Sequence, residues 1–388
     1  HTARADIKRR SKGLKREKIK MEYILRNEEK AIFKLRSLYE SYGYRQFKMS
    51  KFEEYDLYTR NKDFLVSDSI ITFTDTNGAL MALKPDVTLS IIKDSADIDG
   101  SVKKVYYNEN VYRVSKGTQS FKEIMQAGLE CIGDVDGYII CETLYLAAKS
   151  LESISADFIL DISHMEIISE EIKALAISPG GEKEILKCLG EKNIQGIKRV
   201  CESENADAKA TEILVKTASL YGDMKKVVSS LKEIDFDKIS PYVSELEKIA
   251  DYFDGSGLEK RIHFDFSVIH DINYYSAVVF KGFINTIPTG ILSGGQYDGL
   301  MRKMKKNSSA VGFAVYLDLL ERLADDEEKF DVGALVLYDE TADAKTVKNA
   351  VDTLTAKNIT VSAQKKMPEN LRYVSLYKLG KGGLEKIE

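Results

Sequence analysis

The sequence predicts an α+β protein: a mainly antiparallel sheet with helices, a helical insertion, and a small C-terminal α/β domain. Three observations carry this. Short β-branched and aromatic runs recur between turn signals over residues 70–133 and again over 262–293. From Met165 to about Gly257 they give way to Lys- and Glu-rich stretches with helical spacing. After the charged linker Asp325–Lys329, strand-like runs flank a helical one through residue 388.

A length of 388 residues suits two or three domains. With 44% hydrophobic and 30% charged residues, the composition is that of a soluble globular protein. A net charge of −4 argues against a general nucleic-acid binder. The first twenty residues are the exception, with Arg4, Lys8, Arg9, Arg10, Lys12, Lys15, Arg16, Lys18 and Lys20 against Asp6 and Glu17. Such a run reads as a disordered, solvated extension, or else as a nucleic-acid or targeting arm. The folded core is expected over residues 21–328 and the small domain over 329–388. Cys131, Cys141, Cys188 and Cys201 form no CxxC pair, so no zinc site is expected. With no secretion signal they read as reduced thiols of a cytoplasmic protein. No apolar run approaches the roughly 18 residues of a membrane span.

The elements follow in order. Glu22–Tyr42 places Ala31, Ile32, Leu35, Leu38 and Tyr39 at helical spacing, with Gly43 where a helix would stop. Strands are expected at Ile70–Phe73 and Leu80–Leu83, joined through Asn77-Gly78, a hairpin signal. Further strands fall at Val102–Tyr107, Val111–Val114, Phe121–Gly133 and Phe158–Ile162, with a helix over Gly137–Ser153. After the insertion, Ile262–Phe266, Tyr274–Phe283 and Thr289–Ser293 are strand-like. Ala310–Leu323 reads as an amphipathic helix opening at Gly312, and a helix start offers free N–H groups to an anion. Strands at Val332–Tyr338, Ile359–Ala363 and Tyr373–Leu376, with a helix over Ala342–Ala356, complete the chain.

Four stretches carry polar groups that a simple core would not choose. In Leu83-Lys-Pro-Asp-Val-Thr, Asp86 or Thr88 caps the helix that follows, or both aim oxygens at a ligand ammonium. Arg113 stands in an apolar strand, where it either pairs within the protein or grips a carboxylate or phosphate. Gln126, Gly128 and Glu130 share one strand face, with Gly128 leaving floor space for a small polar ligand; an exposed edge strand is the alternative. Tyr274-Tyr275 and Ser293-Gly-Gly-Gln-Tyr-Asp-Gly299 suggest close backbone approach to a ligand.

Taken in order, these blocks resemble the catalytic core of histidyl-tRNA synthetase, a class II aminoacyl-tRNA synthetase, over about Glu22 to Leu323. "LKPDVT" is similar to that family's LRPEGT, and Gln126 to Glu130 to its QxGxE. "INYYSAVVF" is similar to LDYYTGTVFE, "SGGQYDG" to SGGRYDG, and the segment from Gly312 to GFAMGLERL. The resemblance implies the class II synthetase fold and a histidine pocket of Asp86, Thr88, Arg113, Gln126, Glu130, Tyr274 and Tyr275. No metal or cofactor is implied.

The departures concern the nucleotide. The arginine of the third motif falls on Leu319 and the acid after the motif-two arginine on Ser115, and the second basic position of motif two reads Lys122-Glu-Ile where the synthetase has Arg-x-Phe. His270 stands where a further arginine is expected. Each lost charged contact to phosphate is worth about 1.5–3 kcal/mol. A histidine pocket without nucleotide contacts resembles the regulatory subunits of ATP phosphoribosyltransferase. That likeness implies a non-catalytic chain that assembles with the short-form catalytic subunit and is required for its activity. It further implies dimers within a hetero-octamer and feedback inhibition by L-histidine. No tRNA partner is expected, because the C-terminal domain has no basic-aromatic stripe. The competing reading is a divergent histidyl-tRNA synthetase, with Arg322 reaching back about 4.5 Å along a helix to replace the missing arginine. A third is an orphan amino-acid-binding paralogue with another partner.

Overall fold

The computed structural model describes residues 25–61, 70–95, 100–114, 120–269, 275–323, 330–380 and 382–388. The basic first twenty residues, Ser115, His270 and Tyr274 lie outside the described residues. The chain divides into two compact units, residues 1–324 and 325–388.

In the first unit, helix Asn27–Ser41 buries Ala31, Leu35 and Tyr39, a stripe at helical spacing. It stops at Gly43, whose φ of 82° is left-handed. Strands β1 (Arg45–Gln46), β2 (Phe52–Glu54), β3 (Thr72–Thr74) and β4 (Leu80–Leu83) follow. β3 and β4 form the expected hairpin, with Gly78 at φ 85° and Asn77 Oδ1 accepting from the Ala79 N–H at 2.8 Å. The runs expected at Val102–Tyr107 and Val111–Val114 are one strand, β5 (Val102–Val114), because Asn108–Asn110 pair in register with β6 (Phe121–Gly133). A ladder needs backbone groups, not apolar side chains.

Helix Gly137–Ile154 leads to β7 (Phe158–His164), and helices from Met165–Leu175 to Ser240–Phe253 form the insertion. Within it, β8 (Tyr221–Asp223) returns to pair with β9 (Ile262–Asp265). β10 (Val278–Ile284) and β11 (Leu292–Gln296) begin later than the sequence suggests. For β11, pairing begins where Ile291 donates to the Gly282 carbonyl at 2.9 Å.

The largest correction concerns Ala310–Leu323. Gly312 does not open a helix: Ser309–Tyr316 is strand β12, and only Leu317–Leu323 is helical, as a 3₁₀ segment. Val311, Phe313 and Val315 alternate into the core, and that period of two overrides the helical spacing of the leucines beyond.

The nine-stranded sheet runs β1-β5-β6-β12-β11-β10-β7-β9-β8, antiparallel except at β1–β5 and β7–β9. Its two faces differ. Tyr106, Leu129, Phe313, Phe280, Ile162 and Phe264 belong to one buried apolar core with Leu35, Leu144 and Leu151 of the covering helices. The opposite face carries the polar residues described below. All four cysteines are free and buried.

The second unit holds β13 (Val332–Tyr338), helix Ala344–Thr355, β14 (Val361–Gln364), β15 (Tyr373–Gly380) and β16 (Gly383–Lys386). The order is β14-β13-β15-β16, parallel except for the last pair. The β16 strand is not visible in the sequence, since Leu384-Glu-Lys386 has little strand character. Its core is its own: Ala334, Val336, Ala350, Leu354 and Leu379.

Candidate functional site

β6 lies between β5 and β12, so the alternative of an exposed edge strand fails. Register sets the rest. Gln126, Gly128 and Glu130 stand opposite Glu109, Tyr107 and Val105 of β5, and opposite Tyr316, Ala314 and Gly312 of β12. Ser293 and Gly295 of β11 continue the same face, opposite Ala314 and Gly312.

Three glycines on this face each lie beneath a neighbouring side chain. A Cβ at Gly128 would stand 2.5 Å from the Tyr107 hydroxyl, and one at Gly295 would stand 2.6 Å from Tyr275 Cδ1. A Cβ at Gly312 would collide with the Glu130 carboxylate. The floor space expected above Gly128 is therefore filled by Tyr107. Glycine there admits a tyrosine from the next strand, and that tyrosine becomes the floor.

Lys84-Pro-Asp86 is fixed to β5 by a buried ion pair, Lys84 Nζ to Glu109 Oε2 at 2.7 Å. Asp86 is the helix cap of the two candidates: its Oδ1 accepts from the Leu89 N–H at 3.0 Å. Thr88, the first residue of the helix Thr88–Lys93, donates its hydroxyl to Glu130 Oε1 at 2.8 Å. The other Glu130 oxygen accepts from the Tyr297 hydroxyl. Arg113 pairs within the protein. Its Nε donates to the Pro85 carbonyl at 2.9 Å, and its charge acts on Asp86 and Tyr316.

Electrostatics follow from the burial. It pushes the Glu130 carboxyl up to about 8, opposed by the Tyr297 and Thr88 hydroxyls and reinforced by the like charge of Asp86. Asp86 is raised too, by burial first, with the Leu89 N–H and Arg113 pulling it back. Burial raises Tyr107 and Tyr275 well above the ordinary tyrosine value, and both feel Glu130 and Asp86. Two buried carboxyls and one guanidinium thus share a tyrosine-walled site. Such a site favours a ligand that brings a cation to the carboxyls and an anion to the arginine.

Of the expected site residues, Asp86, Thr88, Arg113, Glu130 and Tyr275 come together through these contacts, and Gln126 lies buried on the same sheet face. Tyr274 lies outside the described residues. Lys84, Ser293 and Tyr297 lie within the polar stretches of the sequence, whereas Tyr107 and Tyr316 lie outside all four. Their signal was parity: Tyr107 is in phase with Arg113 along β5, and Tyr316 with Gly312 along β12. Leu319 is half-buried against the main apolar core. Arg322 lies three residues further along a 3₁₀ stretch, about 6 Å at that rise and not 4.5 Å.

This polar sheet face, framed by a capped helix start and an arginine strand, is set in a sheet of the class II synthetase kind. The profile of the histidyl-tRNA synthetase family matches residues 23–320, and the chain belongs to that family. Within it, the likeness runs to regulatory proteins. The chain is 28% identical over 291 residues to the ATP phosphoribosyltransferase regulatory subunit of Caldanaerobacter subterraneus subsp. tengcongensis, covering 74% of this chain and 75% of that protein. It is 26% identical over 342 residues to the protein of the same name from Acetivibrio thermocellus, covering 84% and 80%. Among solved structures, an ATP phosphoribosyltransferase regulatory subunit/histidyl-tRNA synthetase from Bacillus halodurans aligns with TM-score 0.67 at 23% identity, over 87% of this chain and 88% of that one. A chain of the ATP phosphoribosyl transferase (HisG:HisZ) complex from Thermotoga maritima aligns with TM-score 0.59 at 18% identity, over 74% and 96%. These structural likenesses establish the fold.

Proposed function

We propose that this chain is a non-catalytic regulatory subunit of ATP phosphoribosyltransferase, the complex that opens histidine biosynthesis. It assembles with the short-form catalytic subunit, enables that subunit's activity and carries feedback inhibition by L-histidine. The names of its relatives support the partner. The ligand rests on one observation: the buried carboxyls Asp86 and Glu130 converge with Arg113 on one tyrosine-walled face. Asp86 and Glu130 would hold the ammonium and an imidazole N–H, Arg113 the carboxylate, and Tyr107 and Tyr275, with Tyr274, the ring. Thr88 would hold the Glu130 carboxyl in place beside the ligand, and Gln126 would line the pocket. By resemblance the chain self-associates as a dimer within a hetero-octamer, in the cytoplasm.

Inhibition then requires histidine to bind the two states of the complex unequally, with a coupling of about 1–3 kcal/mol. The test is co-purification with a short-form catalytic subunit, assayed with and without L-histidine. Arg113→Ala and Glu130→Ala should still assemble and activate, yet lose inhibition; unchanged inhibition in both variants would sink the pocket assignment. The competing reading, an active synthetase, has against it the packing of Leu319 into the apolar core. Histidine-dependent pyrophosphate exchange into ATP would revive it.

A further inference from the structure

The helical insertion holds a cavity of its own, about 150 Å³ in volume, lined by the helices Met165–Leu175 and Ala208–Ala218 and by the segment Asp235-Phe236. Ala174, Ile213 and Phe236 give it apolar walls. Its charged lining is mainly acidic, with Glu171, Asp207 and Asp235 against Lys209. These four are not equivalent. Asp207, Lys209 and Asp235 are exposed and already engaged. Lys209 Nζ pairs with Asp235 Oδ2 at 2.6 Å, and Asp207 Oδ1 accepts from the Ala210 N–H at 2.8 Å. Glu171 is fully buried. Its Oε1 accepts from the Thr217 hydroxyl at 2.5 Å, while Oε2 has no hydrogen-bond partner among the described residues.

A buried carboxyl oxygen that has given up water for no partner is costly, and such an atom calls for an explanation. Water alone is a poor remedy. A buried water needs about two to four polar partners, and the apolar walls supply none. Burial also raises the Glu171 carboxyl to about 8, so the empty site withholds a charge. A cation beside it would restore that charge, the carboxyl proton passing to solvent. A bare metal ion matches poorly, since among the described residues no group of His, Cys, Asp or Glu is placed to ligate one. An apolar cavity of this volume admits about six heavy atoms. An alkylammonium ion of that size suits every surface. Its chain meets Ala174, Ile213 and Phe236, and its head brings N–H donors and a charge to Glu171.

We propose that this cavity is a binding site for a short aliphatic amine, held as its ammonium ion with the head on Glu171 Oε2. The site shares no residue with the polar sheet face and does not depend on the histidine reading.

The test is methyl NMR of the full chain labelled at the isoleucine δ1 methyls, at about pH 8 and constant ionic strength. The probes are n-butylammonium and 1-butanol, which has the same chain without the charge. Ile213 should shift saturably with n-butylammonium, and 1-butanol should bind at least about tenfold more weakly. Glu171→Gln keeps the shape of the carboxyl and removes its charge, so it should weaken n-butylammonium binding at least about tenfold. Ala174→Leu fills the cavity with Glu171 in place and should abolish the Ile213 response. An Ile213 methyl that does not respond in wild type overturns the proposal. So does equal binding of the alcohol, which would leave an apolar cavity only, and so does unchanged affinity in Glu171→Gln. Should Glu171→Gln fail to fold, Ala174→Leu decides, because undiminished n-butylammonium binding there would put the amine elsewhere.

Discussion

Glu130 shows how a single residue ties the fold to the site. It is buried, it accepts from both Thr88 and Tyr297, and it lies where a side chain on residue 312 would have to be. Gly312→Ala therefore cannot be a neutral change. Overpacking of this kind costs about 1–3 kcal/mol, and the carboxylate must move to relieve it. We expect a lowered melting temperature together with loss of L-histidine binding, read by calorimetry on the purified variant. Retained affinity would mean that Glu130 is a structural carboxyl and not a ligand contact. Asp86 has a similar double duty as helix cap and site carboxyl, so Asp86→Asn, which keeps the capping oxygen, is the cleaner probe there.

Among the elements, β6 does the dividing. Its residues alternate between Leu129 and Cys131 in the core and Gln126 and Glu130 in the site, so one strand holds the fold and presents the chemistry. Truncation on the core face should cost stability alone. Leu129→Ala is expected to lose about 2–5 kcal/mol in urea denaturation, while the fraction still folded binds ligand with unchanged affinity. The helix entered through Lys84-Pro-Asp86 depends on the buried Lys84–Glu109 pair in a different way. Removing one partner leaves a buried charge, so Glu109→Leu should destabilise by about 3–5 kcal/mol.

For the molecule as a whole, Glu130 and Glu171 contribute to the response to pH, and Asp86 and Asp298, raised by burial as well, act in the same direction. Burial raises Glu130, and Glu171 in the insertion, from the ordinary 4.5 to about 8. Between those values the folded chain keeps protons that the unfolded chain has released. Stability from these groups is therefore present at low pH and falls as pH rises, levelling above about 8. Each group contributes up to about 1.4 kcal/mol per pH unit across that window. Thermal melts from pH 5 to 8 should decline in wild type and decline less in Glu130→Gln and in Glu171→Gln. A flat profile in wild type, unchanged in both variants, would contradict the upward shift of the two carboxyls.

The sequence by itself determined the α+β layout, the span of β6, the Asn77-Gly78 hairpin and the helical character of the insertion, because hydrophobic period and turn chemistry are local. It also determined the family, because the order of the blocks is a property of the chain. Only the tertiary structure decided that Gly312 lies in a strand, that Gly128 carries Tyr107, and that Tyr316 stands beside Arg113. Those facts depend on register between strands distant along the chain. In register, residues 107, 128 and 314 become neighbours, and nothing local to any one of them says so.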